Sequence, residues 1–134
     1  MILDQVPPAH TTPDCRVTPG TYDGVAVLHI QGELVAGSVG ALRAQLAGTL
    51  GSSRVLLELS GVTWLDSVGL GALIGAVRTI HEAGGRVALA GARTAIDTLL
   101  RSAGIDRLVV LAGSAEAAYH SLADPEPLRR SVPA

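Results

Sequence analysis

The pair Asp66-Ser67 stands where a buried apolar run gives way to a helical period. Before it, Val55, Leu56, Leu57 and Leu59 form the near-continuous apolar run of a strand covered on both faces. After it, Leu70, Leu73, Ile74, Val77 and Ile80 recur at the spacing of one helical stripe, with Ala72 and Arg78 off that stripe. A short side-chain oxygen at Asp66 or Ser67 caps such a helix by accepting a bond from an otherwise unpaired N–H. The Ser67 hydroxyl then lies at the positive end of the helix dipole. It can serve as a phosphate acceptor, as a cap, or as a nucleophile. Asp66 can orient that hydroxyl, meet the magnesium of a kinase, or be the cap itself.

The nucleophile reading makes the chain a small serine hydrolase using Ser67. Asp97 or Asp106 followed by His120 supplies the order Ser, Asp, His of one hydrolase class. That class also requires glycine two residues before the serine, and Leu65 is there. No segment is set aside for an oxyanion hole. Other chemistries find less. Gly69, Gly71 and Gly75 miss the dinucleotide fingerprint, because the third glycine arrives one residue late. All the basic residues are arginine, so there is no lysine for a phosphate loop. His10, His29, His81 and His120 fall in separate elements without metal-ligand spacing, so neither a metal nor a cofactor is expected.

The elements that must position Asp66-Ser67 follow from the surrounding punctuation. Cys15 to Thr18 reads as a short edge strand closed by Pro19-Gly20, and Tyr22-Asp23-Gly24 as a hairpin turn into a strand from Val25 to Ile30. Ser38 caps a helix to about Leu50, with Val39, Leu42, Leu46 and Leu50 inward. Gly84-Gly85 ends the central helix, and Arg86 to Ala90 is a strand. Thr94 with Asp97 forms a capping-box-like start to a helix ending near Gly104. Leu108 to Leu111 is the last strand, and Ser114 caps a last helix to about Leu122. The order β-β-α-β-α-β-α-β-α implies right-handed crossovers and a mainly parallel sheet. Residues 1–13 and 125–134, with their prolines, read as disordered tails around one domain over 14–124.

Composition narrows the function classes. Hydrophobic residues make up 48% of 134, with no Phe, so the core is built from Leu, Val, Ile and Ala. The net charge is −2 with no basic run, which argues against nucleic acid. Cys15 is alone and forms no intrachain disulfide, as suits a reducing compartment. No apolar run reaches the ~18 residues of a membrane span, and no leader pattern opens the chain. The expectation is a cytoplasmic monomer without membrane insertion.

The segment Asp66-Ser67-Val68-Gly69-Leu70-Gly71-Ala72-Leu73 resembles the signature of STAS domains, the anti-sigma factor antagonist family. His29-Ile30-Gln31-Gly32-Glu33-Leu34 is similar to that family's second-strand ending, Gly-Glu-Leu-Asp. Ala41-Leu42-Arg43 resembles its first helix, and Ala83-Gly84-Gly85-Arg86-Val87-Ala88-Leu89 its fourth strand. Two positions depart: Val35 replaces the Asp after Gly-Glu-Leu, and Gly40 replaces a common Pro. The resemblance implies an α/β STAS fold, a mixed and mainly parallel sheet with about four helices largely on one face. It further implies that unmodified Ser67 allows binding to an anti-sigma factor, a serine kinase of the histidine-kinase-like ATPase type, and so releases a sigma factor. Phosphorylation of Ser67 ends that contact and a serine phosphatase restores it. The contact residues implied are Glu33, Asp66, Ser67, Val68, Gly69, Gly71 and Ala72, on a protein that is substrate and not enzyme. The same family also supplies subunits of other assemblies, such as a stress-signalling scaffold or a lipid-transport complex. Trp64, beside the pair, reads as core packing or as a partner contact, and Glu33 as an exposed loop carboxylate or a partner contact.

Overall fold

The structure, a computed structural model, describes residues 14–123. The expected tails lie outside them. In chain order the elements are β1 (Cys15–Tyr22), β2 (Val25–Leu34), α1 (Val39–Leu46), β3 (Arg54–Leu65), α2 (Ser67–Glu82), β4 (Arg86–Ala90), α3 (Thr94–Ser102), β5 (Val110–Ala112) and α4 (Ala115–Ala123). The sheet order is β1-β2-β3-β4-β5, antiparallel between β1 and β2 and parallel thereafter. That is the mixed, mainly parallel architecture expected.

The hairpin is the locally determined part. Asp23 and Gly24 both take positive φ, 52° and 82°, which matches the right-handed twist of the strands they join. β1 runs further than its sequence suggests, through Pro19 opposite Leu28. It is the outermost strand, and an edge tolerates a residue with no N–H.

β3 is also longer than expected, because no separate connection intervenes between Leu59 and Asp66. Gly61, Val62, Trp64 and Leu65 stay paired to the end of β2 through two register shifts, between His29 and Gln31 and between Gly32 and Glu33. Such irregularities bend a strand without ending it.

The sheet separates two apolar layers. On one face α1, α2 and α3 cover Leu28, Ile30, Leu34, Val55, Leu57, Leu59, Val87 and Leu89. On the other, α4 covers Val25, Val27, Leu56, Ala88 and Ala90 with Ala118 and Leu122. The Tyr22 and Tyr119 rings meet at 4.4 Å between the hairpin and α4. Burial pushes the Tyr119 hydroxyl above its ordinary pKa, with Tyr22 and Glu58 adding to the rise.

Several local expectations change. Leu73, Val77 and Ile80 face inward, but the buried stripe of α2 also takes Gly69, Ala72 and Ala76, while Leu70 and Ile74 are only partly buried. Ala72 is therefore in the core. Small side chains on that flank let the helix lie close to the sheet, so the buried face widens to take them in beside Leu73, Val77 and Ile80. α1 stops at Leu46 and tightens into a 3₁₀ turn over Ala47–Thr49. The tighter winding buries Thr49 and leaves Leu50 exposed. Ser38 does not cap α1; its hydroxyl accepts from Val35 N–H at 3.0 Å and donates to Glu33 O. Thr94 is not a cap either, and Asp97 instead pairs with Arg101 one turn on at 2.8 Å. β5 starts two residues later than expected, after a 3₁₀ turn at Ile105–Arg107. Ser114 does cap α4, accepting from Ala117 N–H. Gly84 and Gly85 close α2 as expected, donating to His81 O and Ile80 O, with Gly84 at φ 90°.

Leu73 is fully buried, so Leu73→Ala is expected to destabilise by roughly 2–5 kcal/mol. Ala72→Ser places a hydroxyl in the same layer and is expected to cost about 1–3 kcal/mol, whereas exposed Arg78→Ala stays within about 0.5 kcal/mol. Urea titration ranks the three. A neutral Ala72→Ser would contradict the packing of α2 described here.

Candidate functional site

β3 delivers its last buried residue, Leu65, directly to Asp66 in extended geometry, and α2 begins at Ser67. The Asp66 carboxylate has two partners on different segments. Oδ1 accepts from Gly69 N–H at 2.8 Å, closing the first turn of α2. Oδ2 accepts from Ala36 N–H at 3.2 Å, thirty residues away in the connection between β2 and α1. Its backbone N–H points to Leu34 O at 3.4 Å. Both carboxylate oxygens are engaged by backbone amides, so Asp66 is the cap and the tie between two segments.

The same corner explains Gly69. A Cβ built there would stand 1.9 Å from Leu34 O, so the first turn of α2 lies on the backbone of β2 with no room for a side chain. Gly71 and Gly75 have open space around their Cα atoms. Two adjacent glycine positions on one helix thus have opposite meanings. Gly69 permits close approach, and Gly71 keeps the outer surface flat.

Ser67 occupies the first helical position and is exposed, and its hydroxyl makes no hydrogen bond to a described residue. Asp66 does not orient it. Val68, 42% exposed, and Gly71 extend the same outer surface, and Ala36 and Gly37 of the tied loop adjoin it through Asp66. Of the contact residues expected, Asp66, Ser67, Val68 and Gly71 form one accessible patch, while Gly69 and Ala72 lie beneath it in the core. Glu33 is half-buried at the end of β2, opposite half-buried Trp64, so it is not an exposed loop carboxylate. Its Oε1 is buried without a hydrogen-bond partner among the described residues. The loop at Ala36 was not legible as part of the site, since no side chain there marks it.

The hydrolase constellation is not assembled around Ser67. His120 is on α4, across the sheet from α2, and Asp97 is held by Arg101. His81 lies at the opposite end of α2, where Nε2 meets Leu108 O at 3.1 Å. Among the described residues no group of three or more His, Cys, Asp or Glu is placed to hold a metal ion. Burial, and then Asp14, push the Cys15 thiol up, which keeps it protonated and poorly nucleophilic.

Comparison with known proteins agrees with this fold. The family model described as the STAS domain matches residues 16–119. An anti-sigma factor antagonist from Mycobacterium paratuberculosis superposes with a TM-score of 0.74 at 22% identity, over 83% of this chain and 96% of that one. The unphosphorylated anti-sigma factor antagonist SpoIIAA does so with 0.60 at 15% identity, over 81% and 96%. The STAS domain of a SulP transporter from Vibrio cholerae gives 0.62 at 21%, over 76% and 83%.

The corner yields a paired expectation. Gly69→Ala drives a methyl into Leu34 O and is expected to destabilise by about 1–3 kcal/mol or more. Gly71→Ala, in open space on the same helix, is expected to stabilise by about 0.5–1 kcal/mol. Thermal unfolding of the two variants reads the difference directly. Equal effects would mean that α2 does not rest on Leu34.

Proposed function

Because the chain belongs to the STAS domain family, we propose that it is an anti-sigma factor antagonist switched by phosphorylation at Ser67. The observation that carries this reading is the exposed Ser67 hydroxyl at the start of a helix whose cap is already supplied by Asp66. A serine needed as a cap would be engaged with its own helix, and this one is available to a partner. The flat surface of Val68 and Gly71 beside it suits the close approach of another protein.

In this reading the unmodified protein binds an anti-sigma factor that is also a serine kinase, and a sigma factor is released. Transfer of phosphate to Ser67 brings about −1.5 to −2 charges into the contact. Asp66 is already adjacent, so the added charge meets both a neighbouring carboxylate and the cost of losing water. A serine phosphatase resets the protein. The protein acts in the cytoplasm as a binding module and not as a catalyst.

The likeness to a SulP transporter domain supports a second use of the fold, as a STAS subunit of another assembly. Affinity capture from the native cell separates the two. An anti-sigma kinase retained without its sigma factor by wild type and by Ser67→Ala favours the antagonist, and transporter or scaffold components the alternative.

With the captured kinase in hand, phosphorylation of Ser67 is expected to weaken binding by roughly 30-fold or more, mostly through faster dissociation. Ser67→Ala should bind and should not be released by ATP, and Ser67→Asp should fall between. Calorimetry with and without ATP measures all three. Equal affinity of the phosphorylated and unmodified forms would reduce Ser67 to a structural residue. The fold itself should survive modification, because an anion in a first helical turn is favoured by about 0.3–1 kcal/mol. A large fall in melting temperature would contradict that.

A further inference from the structure

We propose that Asp66 is a positioning residue through which phosphate on Ser67 loosens the loop between β2 and α1. The inference rests on Ser67 as the phosphate acceptor and adds a second segment to the switch. The loop is knit within itself by Ser38, which accepts from Val35 N–H and donates to Glu33 O. Its outward amide, Ala36 N–H, has one described partner, and that partner is Asp66 Oδ2. The other oxygen of the same carboxylate closes the first turn of α2 on Gly69 N–H. One rotamer of one side chain therefore sets both the helix start and the position of the loop.

Ser67 is the next residue in the chain. Phosphoryl transfer from ATP bonds the Ser67 oxygen to the γ-phosphorus as that phosphorus breaks from the β–γ bridging oxygen; ADP leaves with that oxygen and its electron pair, and the hydroxyl proton passes to a base of the kinase or to water. The product is an anion of about −1.5 to −2 charges at the first helical position, with three strong acceptor oxygens. It competes with Asp66 for the amides of the first turn, and it repels the carboxylate that holds them. Gly69 N–H can pass from carboxylate to phosphate with the helix start still satisfied. Ala36 N–H has no such substitute. Displacing Asp66 thus releases the loop that adjoins the patch while α2 stays folded, without any change in the core.

The distinguishing experiment uses the full chain with phosphoserine inserted at position 67 during synthesis, so that no kinase is required. Amide NMR then compares the solvent-exchange rates and shifts of Ala36 and Gly69 with those of the unmodified protein and of Asp66→Asn. Asparagine retains a cap oxygen for Gly69 but presents an NH₂ donor to the Ala36 donor. Ala36 is expected to exchange about two- to tenfold faster in both altered proteins, the span of one net hydrogen bond. Gly69 should keep its protection in Asp66→Asn, and in the phosphoserine protein it should shift as its acceptor changes. Unchanged core amides would show that each protein is folded.

Ala36 exchange unaltered in Asp66→Asn would overturn the tie. Ala36 unaltered in the phosphoserine protein, with Asp66→Asn loosened, would overturn the coupling. Neither outcome depends on whether a cellular kinase acts on Ser67, which the capture experiment tests separately.

Discussion

Everything around Ser67 depends on the contact between the first turn of α2 and the last residues of β2. Leu34 O lies where the Cβ of residue 69 would be, and Asp66 N–H points to the same carbonyl. A glycine at 69 is the condition for this approach, and the Asp66 carboxylate fixes its angle by bonding amides on both sides of it. With the cap and the close approach supplied by Asp66 and Gly69, Ser67 is left structurally unemployed. A serine at the cap itself would spend its hydroxyl on a backbone donor, whereas Ser67 sits one residue inside. That placement turns a local packing constraint into an accessible hydroxyl on a fixed support.

The rest of the molecule can be understood as the foundation of that corner. β2 and β3 are the two longest strands, and both extend past the rest of the sheet to deliver Leu34 and Leu65 side by side. Their extension is irregular, since the register slips twice before the strands end together at Leu34 and Leu65. Behind them, Leu73, Val77 and Ile80 hold the body of α2 on the sheet, and Gly84-Gly85 ends it cleanly. α4 covers the other face and takes no part in the corner. A partner approaching Ser67 would therefore meet a surface anchored in the core, with the loop at Ala36 tied to it by a single side chain.

How much of this the sequence disclosed depended on the range of the interaction. The Asp23-Gly24 turn, the glycine stop at Gly84-Gly85 and a cap at Asp66 or Ser67 are set by residues within a few positions, and their signals were legible, though the choice of Asp66 was not. The element order followed from alternating periods for the same reason. The full length of β3 was not, because it depends on β2 remaining alongside through two register shifts. Ala72 was misplaced because periodicity weighs large apolar residues, while a helix lying this close to a sheet also buries the small ones flanking its stripe. Ser38 looked like a cap and became the knot of a turn, since Val35 N–H and Glu33 O were nearer than the helix donors. The tie from Asp66 to Ala36 joins residues thirty apart through a backbone amide, which no side-chain pattern announces.

The proposed switch requires that Ser67 be the residue a partner kinase modifies. Its most direct test is transfer of labelled phosphate from ATP to the purified chain by the kinase it captures, with the acceptor residue located by fragmentation mass spectrometry. One phosphate per chain is expected, on Ser67, and none on Ser67→Ala although that variant still binds. Label on another residue, or equal labelling of the Ser67→Ala chain, would contradict it.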